Sequence, residues 1–205
     1  MSRARTSPRA LAPSFYERPA EVVARDLLGA SIVSTIGGQR SVGRIVETEA
    51  YVGPHDDASH AAARIGRTRR NASMFGHPGI AYVYRSYGIH WCLNVVTDAP
   101  GFPAAVLIRA IEPVSGIPTM RRRRATGSTL ADWRLGRGPG NVCAALGIAG
   151  DQDGHPLDQP PLRLIASEST YPAEVVVCGP RIGITRSVEW PLRFWLDTSR
   201  AVSRR

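Results

Sequence analysis

A single stretch, Arg44 to His60 with the sequence RIVETEAYVGPHDDASH, limits most strongly what this chain can fold into. Its first half alternates: Ile45, Glu47, Glu49 and Tyr51 interleave with Val46, Thr48, Ala50 and Val52. A two-residue period is that of a strand, and it puts two carboxylates and a tyrosine on one face. Acids on the buried side of a β-branched strand are unfavourable. Burial disfavours the charged form, and each carboxylate opposes ionisation of the other. A fold keeps such a pair for chemistry or neutralises it with arginine. Gly53 and Pro54 end the strand, and Asp57 to Ala63 is expected to form a short helix capped by Asp56 or Asp57. One segment thus supplies a candidate general base, an aromatic plate and the imidazole of His60.

The neutralising arginine has a candidate. Ala104 to Ile111 reads as a strand with Arg109 on the side of Ala105 and Leu107, so Glu47 and Glu49 are its expected partners. A hairpin precedes it. Tyr82 and Tyr84 share a strand face, Ser86-Tyr87-Gly88 turns the chain, and His90 to Thr97 returns with His90, Cys92, Asn94 and Val96 alternating against Trp91, Leu93 and Val95. Tyr87, beside the glycine of a hairpin tip, is either a surface ring or a wedge for a base stack.

Charge narrows the partners. The 205 residues fit one domain with a sizeable core, and carry a net charge of +9. That balance implies an anionic partner, nucleic acid first. All 26 basic side chains are arginines, so no side-chain amine is available for a Schiff base. Cys92, Cys143 and Cys178 are odd in number and far apart, which suits reduced core thiols. No apolar run approaches a membrane helix and no signal region follows the N-terminus, so a soluble intracellular protein is expected.

Residues 1 to 13 read as a mobile basic arm, residues 14 to 198 as the domain, and residues 199 to 205 as a frayed basic tail. Pro19 is expected to open a helix over Ala20 to Leu28, with Val22, Val23, Leu27 and Leu28 apolar and Gly29 as its stop. Ala30 to Ile36 is a strand with a Gly37-Gly38 turn. Arg67, Arg69 and Arg70 form a basic loop that either contacts phosphates or is a solvated face. Ser115 to Arg124 is a helix, and Ala125 to Arg137 a long loop. Gly138, Gly140 and Asn141 open a helix whose N-terminus is a candidate phosphate site, although GxGPG also makes a plain helix start. Leu162 to Ala166, Glu174 to Cys178 and Leu192 to Leu196 are the remaining strands.

Several chemistries lack their signatures. His55, Asp56, Asp57 and His60 do not have zinc spacing. There is no GxSxG elbow, no strand-linked GxGxxG and no P-loop lysine. A buried acid pair, strand tyrosines and a hairpin-tip aromatic in a basic protein suit an enzyme that extrudes one base from a duplex and attacks it with water. A metal-dependent nuclease using Glu47, Glu49, Asp56 and Asp57, and a non-catalytic nucleic-acid module, are the rival readings.

Taken together, ARDLLG (24–29), VETEAYVGPHDDASH (46–60), RRNASMFGHPG (69–79), YVYRSYG (82–88), LIRAIEP (107–113), GPGN (138–141) and RIGI (181–184) closely resemble the alkyladenine (3-methyladenine) DNA glycosylase family of mammalian type. The similarity runs from about Phe15 to about Leu196. It implies a single mixed α+β domain with a curved antiparallel sheet, flanking helices and no helix-hairpin-helix. It also implies base excision repair by hydrolysis of an N-glycosidic bond. Glu49 matches the general base, and Arg109 with the main chain at His60 the groups that hold the attacking water. Tyr51, His60 and Tyr84 match the walls that stack the extruded base, Asn94 the residue that disfavours guanine, and Tyr87 the intercalating side chain. Glu47 is expected to pair with an arginine and not to react. The resemblance further implies no metal or cofactor, duplex DNA with damaged purines as the partner, a monomer, and in a bacterium a cytoplasmic, nucleoid-associated location. The lesion spectrum does not follow from these motifs.

Overall fold

Pairing on both edges explains how a strand carrying two acids comes to be buried. The computed structural model describes residues 10–125, 129–167 and 175–203. Among these, nine strands form one antiparallel sheet that curls into a half-barrel. They are β1 (Ser31–Ser34), β2 (Ser41–Tyr51), β3 (Ala81–Ser86), β4 (His90–Thr97), β5 (Ala104–Ser115), β6 (Asp158–Gln159), β7 (Leu162–Ile165), β8 (Val176–Gly179) and β9 (Arg193–Leu196). The helices are α1 (Pro13–Tyr16), α2 (Ala20–Asp26), α3 (Ile117–Arg123) and α4 (Pro139–Leu146). The strand order is β3-β4-β5-β2-β1-β7-β6. β2 is the hub: β5 runs along one edge, while the other pairs first with β1 and then, at Glu47 to Glu49, with β9.

The two faces differ sharply. Val46, Ala50, Leu93, Val95, Val106 and Ile108 build the main core with α2 and α4, and Thr48 Oγ1 donates to Ala24 O at 2.8 Å on this side. Glu47, Glu49, Tyr51, Tyr82, Tyr84, Asn94, Leu107 and Arg109 belong to the other face. Ile45, expected with the acids, joins the main core instead. The register explains this. From Ile45 to Glu47, β2 advances two residues while β5 advances one, so Val46 is extra; from Glu47 to Thr48, β5 advances two, so Arg109 is extra. Such bulges re-aim side chains, and here they turn Arg109 toward both acids.

The Ser86-to-His90 turn is realised as expected. Tyr87 and Gly88 both have positive φ, 50° and 69°, the twist that suits a tight hairpin. Gly37 and Gly38 similarly join β1 to β2 with φ of 66° and 71°.

Other expectations change. Pro19 is the cap of α2 and not its first residue; the helix stops at Asp26, and Val22 is exposed. Asp57 to Ala63 forms successive turns and no helix: Asp56 Oδ1 does accept the Ala58 N–H at 3.1 Å in the manner of a cap, but the chain then turns repeatedly and Asn71 takes the His60 carbonyl. Cys178 is exposed, whereas Cys92 and Cys143 are buried. The 125–137 loop contains a 3₁₀ turn at Asp132–Arg134 and a fully buried Leu135; residues 126–128 lie outside the described residues, as does Glu174 of the expected strand. The short strand β6 was not anticipated. Of the basic arm, residues 1–9 lie outside the described residues, while Ala10 bridges Ile165 and the Leu11 N–H donates to Leu164 O. The tail is not frayed over 199–203: Ala201 and Val202 are buried, and Ser199 and Ser203 make hydrogen bonds to acids of the sheet.

Candidate active site

Pairing aligns the functional face into a row across five strands. Tyr82 lies opposite Asn94, Asn94 opposite Leu107, Leu107 opposite Glu49, and Glu49 opposite Arg193. Above the row opens a cleft of about 620 Å³, lined by Tyr51, His60, Tyr84, Tyr87, Asn94 and Arg109 among others. Sequence-predicted residues from five separate segments thus meet around one cavity.

Glu49 is fully buried behind this lining. Its Oε1 accepts a hydrogen bond from the Ile182 N–H at 2.7 Å and faces Arg109 Nη1 at 3.2 Å; its Oε2 accepts from the Tyr51 hydroxyl at 3.1 Å. Burial pushes its carboxyl above the ordinary value, opposed by Arg109, the Ile182 N–H and the Tyr51 hydroxyl. Such a group is a stronger base than an exposed glutamate once ionised. Burial works against the Arg109 charge too, but Glu49 and Glu47 outweigh it and keep the guanidinium protonated.

Glu47 is equally buried and takes the structural part. Its Oε1 accepts from Arg193 Nε at 2.7 Å and lies 3.4 Å from Arg109 Nε, an ion pair without hydrogen-bond alignment. Ser203 completes it with its N–H to Oε2 at 2.6 Å and its hydroxyl to Oε1 at 2.9 Å.

The aromatic walls are held just as firmly. His60 Nδ1 lies 2.9 Å from the Tyr82 hydroxyl, and its ring meets Tyr84 edge-on at 4.3 Å. Burial and the nearby Arg70 lower the imidazole to about 4, so it is neutral at physiological pH. The His60 carbonyl accepts from Asn71 Nδ2 at 2.8 Å. Asn71 also ties Gly66 O and the Thr68 N–H, so one buried amide fixes the whole 60–71 loop. Asn94 Nδ2 donates to Tyr82 O at 3.1 Å. Tyr87 is 87% exposed at its hairpin tip, so the surface-ring alternative and the wedge alternative both start from a ring free of the core.

The basic candidates divide. Arg70 lines the cleft, lies 5.3 Å from the Tyr84 ring and donates to Arg85 O. Arg67 covers Phe75, and Arg69 is exposed. Gly138 caps α4 with φ of 100°, and a Cβ on Gly140 would strike His90. Asn141 does not point its amide outward: Nδ2 donates back to Arg137 O at 2.6 Å.

A family model for methylpurine-DNA glycosylase matches residues 14–200. The chain belongs to this family. A relative from Myxococcus xanthus, assigned as a 3-methyladenine DNA glycosylase, is 49% identical over 197 residues, covering 95% of this chain and 93% of its own. Relatives with the same assignment from Granulibacter bethesdensis and Nitrosospira multiformis are 50% and 51% identical, covering 92% and 89% of this chain and 85% and 88% of their own.

Within this methylpurine-DNA glycosylase fold, the residues that sequence reading missed are those that hold others. Arg181 is buried and pairs with Asp56 through both terminal nitrogens, at 2.5 and 2.8 Å, while donating to Ala50 O and covering the Tyr51 ring at 4.7 Å. This commits Asp56, removing it from the His55, Asp56, Asp57 and His60 quartet considered for a metal. It also fixes the next residue, whose N–H grips Glu49. The signal was present in RIGI, but its partner lies 125 residues away. Asn71, Arg193 and Ser203 likewise had no local pattern to mark them. Among the described residues no helix is long and apolar enough to cross a membrane.

Proposed function

We propose that this chain is a monofunctional alkylpurine DNA glycosylase that acts on damaged duplex DNA. In this reading Glu49 deprotonates a water that attacks C1′ of an extruded nucleotide, and the base departs to leave an abasic site. The observation that carries it is the grouping of a desolvated, arginine-paired carboxylate with three aromatic rings at one cleft. Glu49 has no exposed surface, so water reaches it only after the Tyr51 hydroxyl yields Oε2. Arg109 and the His60 carbonyl would then orient that water. Tyr51, His60 and Tyr84 form the stacking walls; an alkylated purine carries positive charge and gains from a tyrosine face. Asn94, fixed by its bond to Tyr82 O, crowds a guanine 2-amino group. Arg67, Arg69, Arg70 and the start of α4 at Gly138 and Gly140 supply contacts to phosphates. The enzyme works as a monomer, in the cytoplasm at the nucleoid.

The decisive experiment incubates the protein with methylated duplex DNA in the presence of a chelator and identifies what is released. Free methylated purines from otherwise intact strands are expected. Strand cleavage without base release, or loss of activity in chelator, would return the nuclease reading. Binding without release would return the non-catalytic module.

Tyr87 serves as the wedge that fills the gap left by the flipped base. Tyr87→Ala should slow excision from duplex DNA about ten-fold, in line with about 1–3 kcal/mol of lost base stacking, and slow it far less on single strands. Equal losses on both substrates would show that the ring is only a surface group.

The rate should also depend on pH in a defined direction. Glu49 works when ionised, and its raised pKa means the ionised form is lost on acidification earlier than for an ordinary glutamate. Single-turnover rates should therefore climb with pH through the mildly acidic range. His60 titrates only near 4 and does not account for that limb. A profile already level at the usual carboxylate pKa would contradict the assignment.

A further inference from the structure

We propose that Ser203 is a positioning residue for base excision, holding Glu47 with neutral donors so that Arg109 stays available to Glu49. The inference rests on Glu49 as the base. Two buried acids share two buried arginines on this face: Arg193 serves Glu47, and Arg109 lies between the two acids. Left with arginines alone, Glu47 would compete for Arg109, which is already 3.4 Å away. Ser203 removes that competition by giving Glu47 two hydrogen bonds and no charge. Its hydroxyl oxygen also accepts from Arg109 Nη2 at 3.4 Å, so one atom touches both the acid and the arginine.

The segment that delivers Ser203 is built to do so. Ser199 Oγ donates to Glu112 at 2.5 Å, Ala201 and Val202 are buried, and Arg137 Nε donates to Val202 O at 2.9 Å. The groups that bear on Glu49 are Arg109 on β5, Glu47 and Tyr51 on β2, Tyr84 on β3, Cys92 on β4, and the Ile182 N–H beside Arg181; Arg193 on β9 lies opposite it in register. Of these, only Arg109 is shared with Glu47 through Ser203. Losing the hydroxyl should draw Arg109 toward Glu47, weaken its hold on Glu49, and so make Glu49 harder to ionise.

The test is the pH profile of single-turnover excision from methylated duplex DNA. For Ser203→Ala the acid limb should move to higher pH. At the acid end the rate should be about five-fold below wild type, the scale of one lost hydrogen bond to a charged group acting through a second residue. The deficit should shrink as pH rises, with lesion-duplex affinity unchanged. Ser203→Thr keeps the hydroxyl and should restore the wild-type profile. Val202→Ala trims buried packing beside Ser203 but keeps the main-chain bonds from Arg137 to the residue 202 carbonyl and from the Ser203 N–H to Glu47; it should lower Tm and leave the profile in place. A Ser203→Ala curve that superimposes on wild type, or that is lowered equally at every pH, overturns the proposal, as does failure of Ser203→Thr to restore it. Glu49→Gln is run in parallel. If it still excises, the base assignment itself has failed; if it is inactive while Ser203→Ala behaves as wild type, only the role of Ser203 has.

Discussion

Glu49→Gln should bind lesion-bearing duplex with near wild-type affinity and release base about a thousand-fold more slowly, the middle of the range for a lost general base. The substitution is nearly isosteric, and its hydrogen bonds have somewhere to go. An amide oxygen at the Oε1 position still accepts from the Ile182 N–H and faces Arg109, and the amide nitrogen at the Oε2 position can donate to the Tyr51 oxygen. The fold should not suffer. A carboxyl whose folded-state pKa is raised favours folding only below its unfolded value, and that contribution is lost as pH rises through the folded value. At neutral pH the ionised Glu49 therefore works against stability, and Tm of the glutamine variant should be no lower than that of wild type. A variant that melts normally, binds normally and still excises at the wild-type rate would sink the assignment.

The largest effect on stability belongs to a different residue. Arg181→Met leaves Asp56 fully buried with its main partner gone, and breaking such a pair costs about 3–5 kcal/mol. For a chain of this size that corresponds to a fall of roughly 10 °C in Tm. Activity should fall with it, because Arg181 sets the Ile182 N–H that holds Glu49. Replacing both partners, Arg181→Met with Asp56→Leu, removes the stranded charge and should recover most of the lost Tm. It should not recover the rate, since the segment after β8 is no longer tied at Ala50 O and the Tyr51 ring. Thermal melts of the three proteins decide the matter: a single variant as stable as wild type would mean that Asp56 is satisfied some other way.

The residues that could be read from the sequence share a property: their role is visible within one strand or one turn. The alternation around Glu47 and Glu49, the Tyr82–Tyr84 face and the Tyr87–Gly88 tip are local patterns, and each is realised. Arg109 could be read because an arginine inside an apolar strand demands an acid, and only two were in prospect. What stayed hidden depends on distant pairing. Arg193 and Ser203 reach Glu47 from 146 and 156 residues away, and no periodicity records that. Polar composition read the tail as frayed, but two residues of it, Ser199 and Ser203, are fastened by the acids they satisfy. The expected helix after Gly53 failed for a related reason. Asp56 does accept the Ala58 N–H in cap fashion while Arg181 holds the same carboxylate, but Asn71, from beyond the segment, holds the His60 and Gly66 carbonyls in turns. Val22 was assigned by hydropathy to a helix face that the sheet does not cover.

The extra residues Val46 on β2 and Arg109 on β5 cancel one another, so the strands leave the irregularity in step. Removing either one alone would slip the two strands against each other beyond this crossing, moving Glu47 and Glu49 off the β5 residues they now face. Losing both would keep the strands in phase but delete the guanidinium. Insertions and deletions at this crossing are thus barred singly by geometry and jointly by chemistry, and sequence drift here is confined to exchanging one side chain for another.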